Sequence, residues 1–119
     1  MQLLTRDHTH VWGLVEMGLL RADEVESHPM KHVLTRAMGT EPDVAPHIAT
    51  ETVEEGDTYL LCSDGIMSHV HDAQIHEILA ANTPSEAAWA LVAAALQGGG
   101  TDNATAMVVR VDRLEAVEP

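Results

Sequence analysis

The first hydrophobic pattern along the chain is helical. Val11, Leu14 and Val15 recur at the spacing of one face of a helix, and Gly18 stands where a glycine can end it. Few hydrogen bonds offset the cost of the first turn in so short a helix, so it cannot persist alone in water. The pattern therefore predicts a short helix that lies on another surface of the protein.

Two more short helices are predicted before residue 40. Asp23 can cap the first of them with its carboxylate, while Glu26 reaches back to form a capping box. Pro29 can open the second, because the first helical position needs no amide hydrogen, and Gly39 can close it. Residues 9–39 are thus expected to be helical, in two or three pieces.

Residues 47–63 have the pattern of strands. Ile, Thr and Thr alternate with Ala, Glu and Val over residues 48–53, and a Glu-Gly-Asp turn follows at 55–57. Residues 58–62 then form a continuous apolar run typical of a buried strand. Two such segments joined by a turn predict a β-hairpin.

The second half of the chain predicts two longer helices and a final strand. Asp72 is expected to cap a helix that buries apolar residues at 75, 78 and 79. Thr83, Pro84 and Glu86 combine an N-cap, a proline at the first helical position and a capping-box glutamate, so another helix begins there. Three glycines at 98–100 end that helix, and residues 104–111 predict a buried strand.

The acidic charge of the chain excludes two classes of partner. The 119 residues suffice for one small domain and carry 6 Lys and Arg against 19 Asp and Glu, a formal net charge of −13. This charge repels phosphate backbones and anionic lipids, so neither nucleic acid nor a membrane surface is expected as a partner. The sequence has no apolar run of bilayer length and no signal-peptide pattern, so a soluble, cytoplasmic protein is expected.

Two aspartates stand beside the predicted buried strands. Asp64 follows the strand at 58–62, and Asp102 precedes the strand at 104–111. If these strands are antiparallel neighbours, both carboxylates project from one edge of the sheet, where they repel each other unless a cation lies between them. Hard oxygen ligands favour Mg²⁺ or Mn²⁺. The alternative stays open that both are ordinary turn residues, since Asp-Gly and Asp-Asn are common turn dipeptides.

Histidine pairs suggest a different metal. Three pairs have a spacing found among zinc ligands, namely His8 with His10, His28 with His32, and His69 with His71. The first and third pairs lie in turn or helix context, and Pro29 places the second at the start of a helix, where the two side chains need not align. Surface imidazoles are therefore expected, with an unrelated acidic α+β domain that binds zinc as the alternative.

Seven short motifs follow one another along the chain. They are LTRDH at 4–8, GLL at 18–20, HP at 28–29, VLTRAMG at 33–39, EGD at 55–57, LLCSDG at 60–65 and GGGTDNAT at 98–105. In order and spacing they resemble the C-terminal half of the PPM, or type 2C, family of metal-dependent serine/threonine phosphatases, and its bacterial branch most of all. The resemblance covers the chain from residue 3 to about residue 111.

The resemblance implies an α+β fold, the C-terminal half of a four-layer α-β-β-α sandwich with antiparallel sheets and a helical flap. Residues 1–112 would form a partial PPM-type domain, with the flap at about 11–39 and an acidic tail at 113–119. Carried over from the family, Asp64 and Asp102 bind one metal of a binuclear Mn²⁺ or Mg²⁺ centre, and Asn103 orients the loop. These two aspartates are the ones that the strand pattern identifies.

The function implied by the resemblance is metal-dependent hydrolysis of phosphoserine and phosphothreonine. Phosphoproteins would be the substrates, and a cognate serine/threonine kinase is a candidate partner. The family's N-terminal half, with its D-G-x-G-G motif, has no counterpart in this sequence, so the isolated chain is expected to be inactive. The alternative is a non-catalytic module that binds a phosphoprotein, a kinase or a complementary chain through an incomplete sandwich face.

Overall fold

The computed structural model describes residues 1–117 of the chain, which divide into two compact units. One unit comprises residues 2–50 and includes the segment predicted as a flap. The other runs from residue 51 onward, together with Met1, and includes the sheet. Within the described residues, no helix combines the length and the apolar character needed to cross a bilayer.

Helix α1, His10–Glu16, lies in the first unit and ends as its sequence predicts. Behind it Gly18 adopts a left-handed φ of 74°, and its amide donates to the Val15 carbonyl at 3.0 Å. The Leu19 amide donates to the Leu14 carbonyl at 2.9 Å, which completes a Schellman motif. The predicted glycine stop is confirmed.

The predicted helix start at Asp23 is wrong, because a shorter turn begins before it. A single 3₁₀ turn covers Ala22–Glu24, and the Arg21 amide donates to the Glu24 carboxylate at 2.9 Å. Glu26, which was expected to complete a capping box, instead forms an ion pair with Lys31 at 2.8 Å. Glu24 thus makes the reciprocal bond that the sequence pattern assigned to Glu26.

The helix predicted at 29–39 is also wrong. These residues form turns and isolated bridges, and in one antiparallel bridge Leu34 lies opposite Thr9. The His10 amide donates to the Val33 carbonyl at 2.8 Å beside this bridge. Residues 33 and 34 pair with residues 9 and 10, at the start of α1, and this pairing provides backbone hydrogen bonds that a helix would otherwise form internally. A tertiary contact thus overrides the local sequence pattern.

Two strands form an antiparallel sheet in the second unit. Strand β1 is Thr58–Cys62 and strand β2 is Ala106–Arg110, with Cys62 opposite Ala106 at one end of the register. The predicted hairpin is wrong, because residues 48–53 form no strand and Ile48 is 81% exposed. Strand β2 instead brings apolar side chains onto the core, so burial decides which segment pairs with β1.

Three helices lie between the two strands in the sequence. They are α2, Asp64–Met67, α3, Asp72–Ala81, and α4, Pro84–Gln97. The capping box predicted for α4 is confirmed, since the Glu86 amide donates to the Thr83 hydroxyl at 3.3 Å and the Thr83 amide donates to the Glu86 carboxylate at 3.1 Å. Asp72 was predicted to be the N-cap of α3, and this is wrong. Asp72 is the first residue of the helix, and His71 is its N-cap.

The helices cover one face of the sheet. The buried core of the unit comprises Ile66, Val70, Ile75, Leu79, Ala87, Leu91, Ala94 and Ala95. From the sheet, Leu60 and Val108 pack against it, as do Cys62 and Ala106. Arg110 links the sheet to the end of α3 by a hydrogen bond, in which its guanidinium donates to the Leu79 carbonyl at 3.0 Å.

The opposite face of the sheet, the open face, is not covered by these helices. Paired residues of antiparallel strands share a face, so Tyr59 and Val109 lie on this side together with Leu61 and Met107. Leu61, Met107 and Val109 are 57%, 59% and 45% exposed. The unit is therefore a layer of helices on one antiparallel sheet whose second face carries exposed apolar side chains.

The residues predicted as an acidic tail, 113–119, are separated from the end of the last strand by two residues. Residues 112–117 belong to neither helix nor strand, and the Leu114 amide donates to the Glu55 carboxylate at 2.8 Å. Residues 118 and 119 of the predicted tail lie outside the described residues.

Candidate metal site

The two aspartates of the predicted metal site lie at the same end of the sheet. Asp64 comes two residues after β1, and Asp102 lies shortly before β2. Because the strands are antiparallel neighbours, the end of β1 lies beside the start of β2. The sequence analysis required the two strands to be antiparallel neighbours, and the observed pairing meets this condition.

The two aspartate loops are in direct contact. The Ser63 amide donates to the Thr105 carbonyl at 3.0 Å, and the Thr105 amide donates to the Ser63 hydroxyl at 3.0 Å. The same hydroxyl lies 3.4 Å from the Asn103 carbonyl, to which it donates. The residue before Asp64 therefore binds both backbone positions that flank Ala104, next to the Asp102 turn.

Gly65 allows the closest approach between the loops. A Cβ atom at this position would lie 2.0 Å from the Asn103 carbonyl oxygen and 2.8 Å from its carbon. No other residue type fits there without displacement of backbone atoms. The sequence pattern marks this glycine only as part of an Asp-Gly turn dipeptide, and it does not show that the Asp102 loop packs against it.

Both carboxylates are exposed, and each has a local role. Asp64 is the first residue of α2, where a negative charge interacts favourably with the helix dipole. The Asp102 carboxylate accepts a hydrogen bond from the amide of the next residue, Asn103, at 2.7 Å, a local bond that is consistent with a turn role for this aspartate. A turn role and a ligand role are compatible, because a carboxylate has acceptor sites on both oxygens.

The donor chemistry of the two aspartates fits a hard divalent cation in part. Two exposed carboxylates on touching loops are oxygen ligands of the kind that Mg²⁺ and Mn²⁺ prefer. Over residues 1–117, no three His, Cys, Asp or Glu side chains come together in an arrangement that could hold a metal. The described residues thus offer two carboxylates at this place, fewer than the six oxygen ligands that such a cation favours.

The histidines engage in other interactions. The His28 ring accepts a hydrogen bond from the Met30 amide at 3.0 Å, and the His8 and His47 rings meet edge to face at 6.1 Å. The His69 ring is within 2.7 Å of the Thr101 hydroxyl. With no group of three ligands in the described part of the chain, the zinc alternative gains no support from the structure.

Comparison with known proteins identifies relatives along most of the chain. The family model for Stage II sporulation protein E (SpoIIE) matches residues 11–112. The serine/threonine protein phosphatase PstP of Mycobacterium tuberculosis is 40% identical over 108 residues, which are 91% of this chain and 21% of PstP. The protein phosphatase PhpP of Streptococcus pneumoniae is 33% identical over 114 residues, which are 95% of this chain and 46% of PhpP.

Solved structures agree with this relationship. The crystal structure of M. tuberculosis PstP/Ppp superposes with a TM-score of 0.85 at 37% identity, covering 92% of this chain and 46% of that one. The catalytic domain of PstP in complex with two manganese ions gives a TM-score of 0.79 at 36% identity, covering 92% and 45%. The chain thus spans less than half of the relatives it matches. It belongs to the SpoIIE family of PPM-type phosphatase domains and matches the C-terminal half of bacterial serine/threonine phosphatases.

Proposed function

We propose that this chain is the C-terminal half of a metal-dependent protein serine/threonine phosphatase, in which Asp64 and Asp102 bind Mn²⁺ or Mg²⁺. The observation that carries the proposal is the contact between the two aspartate loops, where the Asn103 carbonyl lies against Gly65. The antiparallel register brings the two loops together, and their contact holds two exposed carboxylates at one end of the sheet, where they repel each other unless a cation lies between them. PstP, which is named a serine/threonine protein phosphatase, and PhpP, which is named a protein phosphatase, support the same assignment.

The residues of this chain would perform a limited part of the reaction. Asp64 and Asp102 hold the cation at the exposed edge of the sheet, and Gly65 keeps their loops together. When bound, the cation lowers the pKa of a water molecule and neutralises charge on the phosphate group. The protein carries a net charge of −13, which would otherwise repel a phosphorylated substrate.

The substrates proposed are proteins that carry phosphoserine or phosphothreonine, with a cognate kinase as a candidate partner. Residues 11–39 are proposed as the flap that influences the choice of substrate. The open face, which carries exposed Leu61 and Met107, is proposed to pack against the other half of a phosphatase domain. The alternative is a non-catalytic module that uses this face to bind a complementary chain, or that binds a phosphoprotein or a kinase.

Metal binding can be tested on the chain as it is. Mn²⁺ broadens the NMR signals of amides near its site, so we expect broadening at the Asp64 and Asp102 loops in a dilute Mn²⁺ titration. Asp64→Asn and Asp102→Asn should each remove the broadening at both loops. Asp72→Asn is the matched control, because Asp72 is likewise exposed and likewise the first residue of a helix. Broadening that survives both substitutions would refute the assignment of the ligands.

Catalysis needs a second experiment. The isolated chain with Mn²⁺ and p-nitrophenyl phosphate should show no turnover above background. A chimera that joins it to the N-terminal half of S. pneumoniae PhpP should hydrolyse a phosphothreonine peptide, and Asp64→Asn should lower kcat about 100-fold or more. A folded but inactive chimera would favour the non-catalytic module. Turnover by the isolated chain that Asp64→Asn abolishes would show that it needs no second half.

A further inference from the structure

His69 connects the two aspartate motifs at a point away from their direct contact. It follows α2, the helix that Asp64 begins, and its amide donates to the Ile66 carbonyl at 3.1 Å. Its ring Nε2 lies 2.7 Å from the hydroxyl oxygen of Thr101, the residue before Asp102. Either neutral tautomer can form this hydrogen bond, because a hydroxyl both donates and accepts.

Two of the three glycines at 98–100 make room for this histidine. A Cβ atom on Gly98 would lie 2.6 Å from the His69 carbonyl oxygen, and one on Gly99 would lie 3.2 Å from the ring carbon Cε1. Gly99 and Gly100 also have φ values of 138° and 56°, which L side chains rarely adopt. The glycines therefore let the backbone fold closely around His69.

Ser63 holds the other side of the same loop. Its hydroxyl accepts from the Thr105 amide at 3.0 Å and donates to the Asn103 carbonyl at 3.4 Å. The loop is thus bound at Thr101 by a residue that follows α2, and at Asn103 and Thr105 by the residue that precedes α2. Asp102 lies between these two attachments.

We propose that Ser63 and His69 are positioning residues that together fix Asp102 relative to Asp64. The inference rests on the proposed function, in which these aspartates are metal ligands. Residues that orient metal ligands typically change metal affinity when they are replaced, because a ligand free to move must be ordered on binding. The three glycines that precede Thr101 make this restraint necessary, since glycine leaves the backbone more freedom than any other residue.

The test compares variants of the whole chain by NMR relaxation and by Mn²⁺ titration. His69→Leu and Thr101→Val should each lower the order parameters of the Asp102 and Asn103 amides from a rigid value of about 0.85 toward about 0.6. Each should also weaken Mn²⁺ binding about tenfold. The double variant should be no worse than either single one, because both remove the same hydrogen bond.

Two further variants separate positioning from general destabilisation. His69→Gln, whose amide can reach the place of Nε2, should keep the loop rigid and retain most of the Mn²⁺ affinity. His76→Leu is the matched control, because His76 is an exposed histidine of α3, and it should change neither measurement. Unchanged α4 amide signals in His69→Leu would show that the unit is folded. If Thr101→Val instead unfolds the unit, the result for His69→Leu alone decides whether His69 positions the Asp102 loop.

The outcomes distinguish the inference from the proposed function. Order parameters that stay unchanged in His69→Leu would overturn the positioning role, whatever the metal does. A loop that loosens in His69→Leu, in a parent chain whose amides Mn²⁺ does not broaden, would support the restraint and overturn the proposed metal site. Loosening together with weaker Mn²⁺ binding supports both.

Discussion

Replacing Gly65 by alanine is the most direct test of the contact between the aspartate loops. The new Cβ atom would lie 2.0 Å from the Asn103 carbonyl oxygen and 3.3 Å from the Ala104 Cα. An ordinary contact begins near 3.4 Å, so the Asn103 carbonyl must retreat by about 1.4 Å. Both opposing atoms belong to the backbone, so no side-chain rotation can relieve the clash.

The energetic cost follows from three contributions. Overpacking costs about 1–3 kcal/mol in well-packed sites. A retreating loop also loses the Ser63 hydrogen bonds to Asn103 and Thr105, worth about 1 kcal/mol each. Alanine recovers about 1 kcal/mol, because it favours the helical conformation that Gly65 adopts in α2. The unit should be destabilised by about 3 kcal/mol, or about 15 °C in Tm.

The assay is urea unfolding followed by amide signals of α4, which report the unit that contains Gly65. Gly13→Ala is the matched control, since Gly13 lies within α1 and a Cβ atom there meets nothing within 4 Å. That variant should not lower the midpoint reported by α4, and the amide signals of α1 should show its own helix stabilised by up to about 1 kcal/mol. If Gly65→Ala unfolds at the same urea concentration as the parent, the loops do not touch as described and the metal assignment loses its main support.

Three further predictions concern stability and titration in the same unit. Thr83→Ala should cost about 1 kcal/mol in urea unfolding, because it removes the cap of α4, and Thr83→Ser should restore most of it. Leu91→Ala should cost about 2–5 kcal/mol, because Leu91 is fully buried, and an unchanged midpoint would contradict this packing. Burial, followed by the charge of Asp57, raises the pKa of Tyr59 above its ordinary value, so an ultraviolet titration should give a midpoint above that of free tyrosine. Asp57→Asn should lower this midpoint, since it removes a negative charge that opposes ionisation.

Local signals in the sequence predicted those features whose causes are local. The cap of α4 depends on Thr83 and Glu86, which are three residues apart, and the end of α1 depends on one glycine. Such interactions form within a single turn, so the chain carries their full description in a few consecutive residues. Both were confirmed.

Two of the errors, the helix at 29–39 and the hairpin, arose where distant segments compete for the same backbone groups. Residues 29–39 have good start and stop residues for a helix, yet Val33 bonds instead to the His10 amide. Residues 48–53 alternate like a strand, yet β1 pairs with a segment that follows three helices in the sequence. Neither partner can be identified from local periodicity, because pairing depends on which apolar side chains become buried together.

The sequence predicted the two carboxylates of the candidate site, but not the residues that hold their loops together. Asp64 and Asp102 were visible because each adjoins an apolar run. His69 was considered only for zinc chemistry, and the bonds that Ser63 and His69 make to the Asp102 loop were missed. Those bonds join residues that are more than 30 positions apart, and only the antiparallel register brings them together.

The open face and the two proposed metal ligands predict the same second layer of the fold. Magnesium and manganese favour six oxygen ligands, and two aspartates leave most of that number to water, so the isolated chain should bind metal weakly. The same strands that end beside Asp64 and Asp102 expose Leu61 and Met107 on the face away from the helices. A second sheet packed on that face would bury these apolar side chains and bring its own end beside the two aspartates. A second sheet would thus complete the fold and the metal site together. Addition of the N-terminal half of a related phosphatase should therefore raise both the Mn²⁺ affinity and the Tm of this chain.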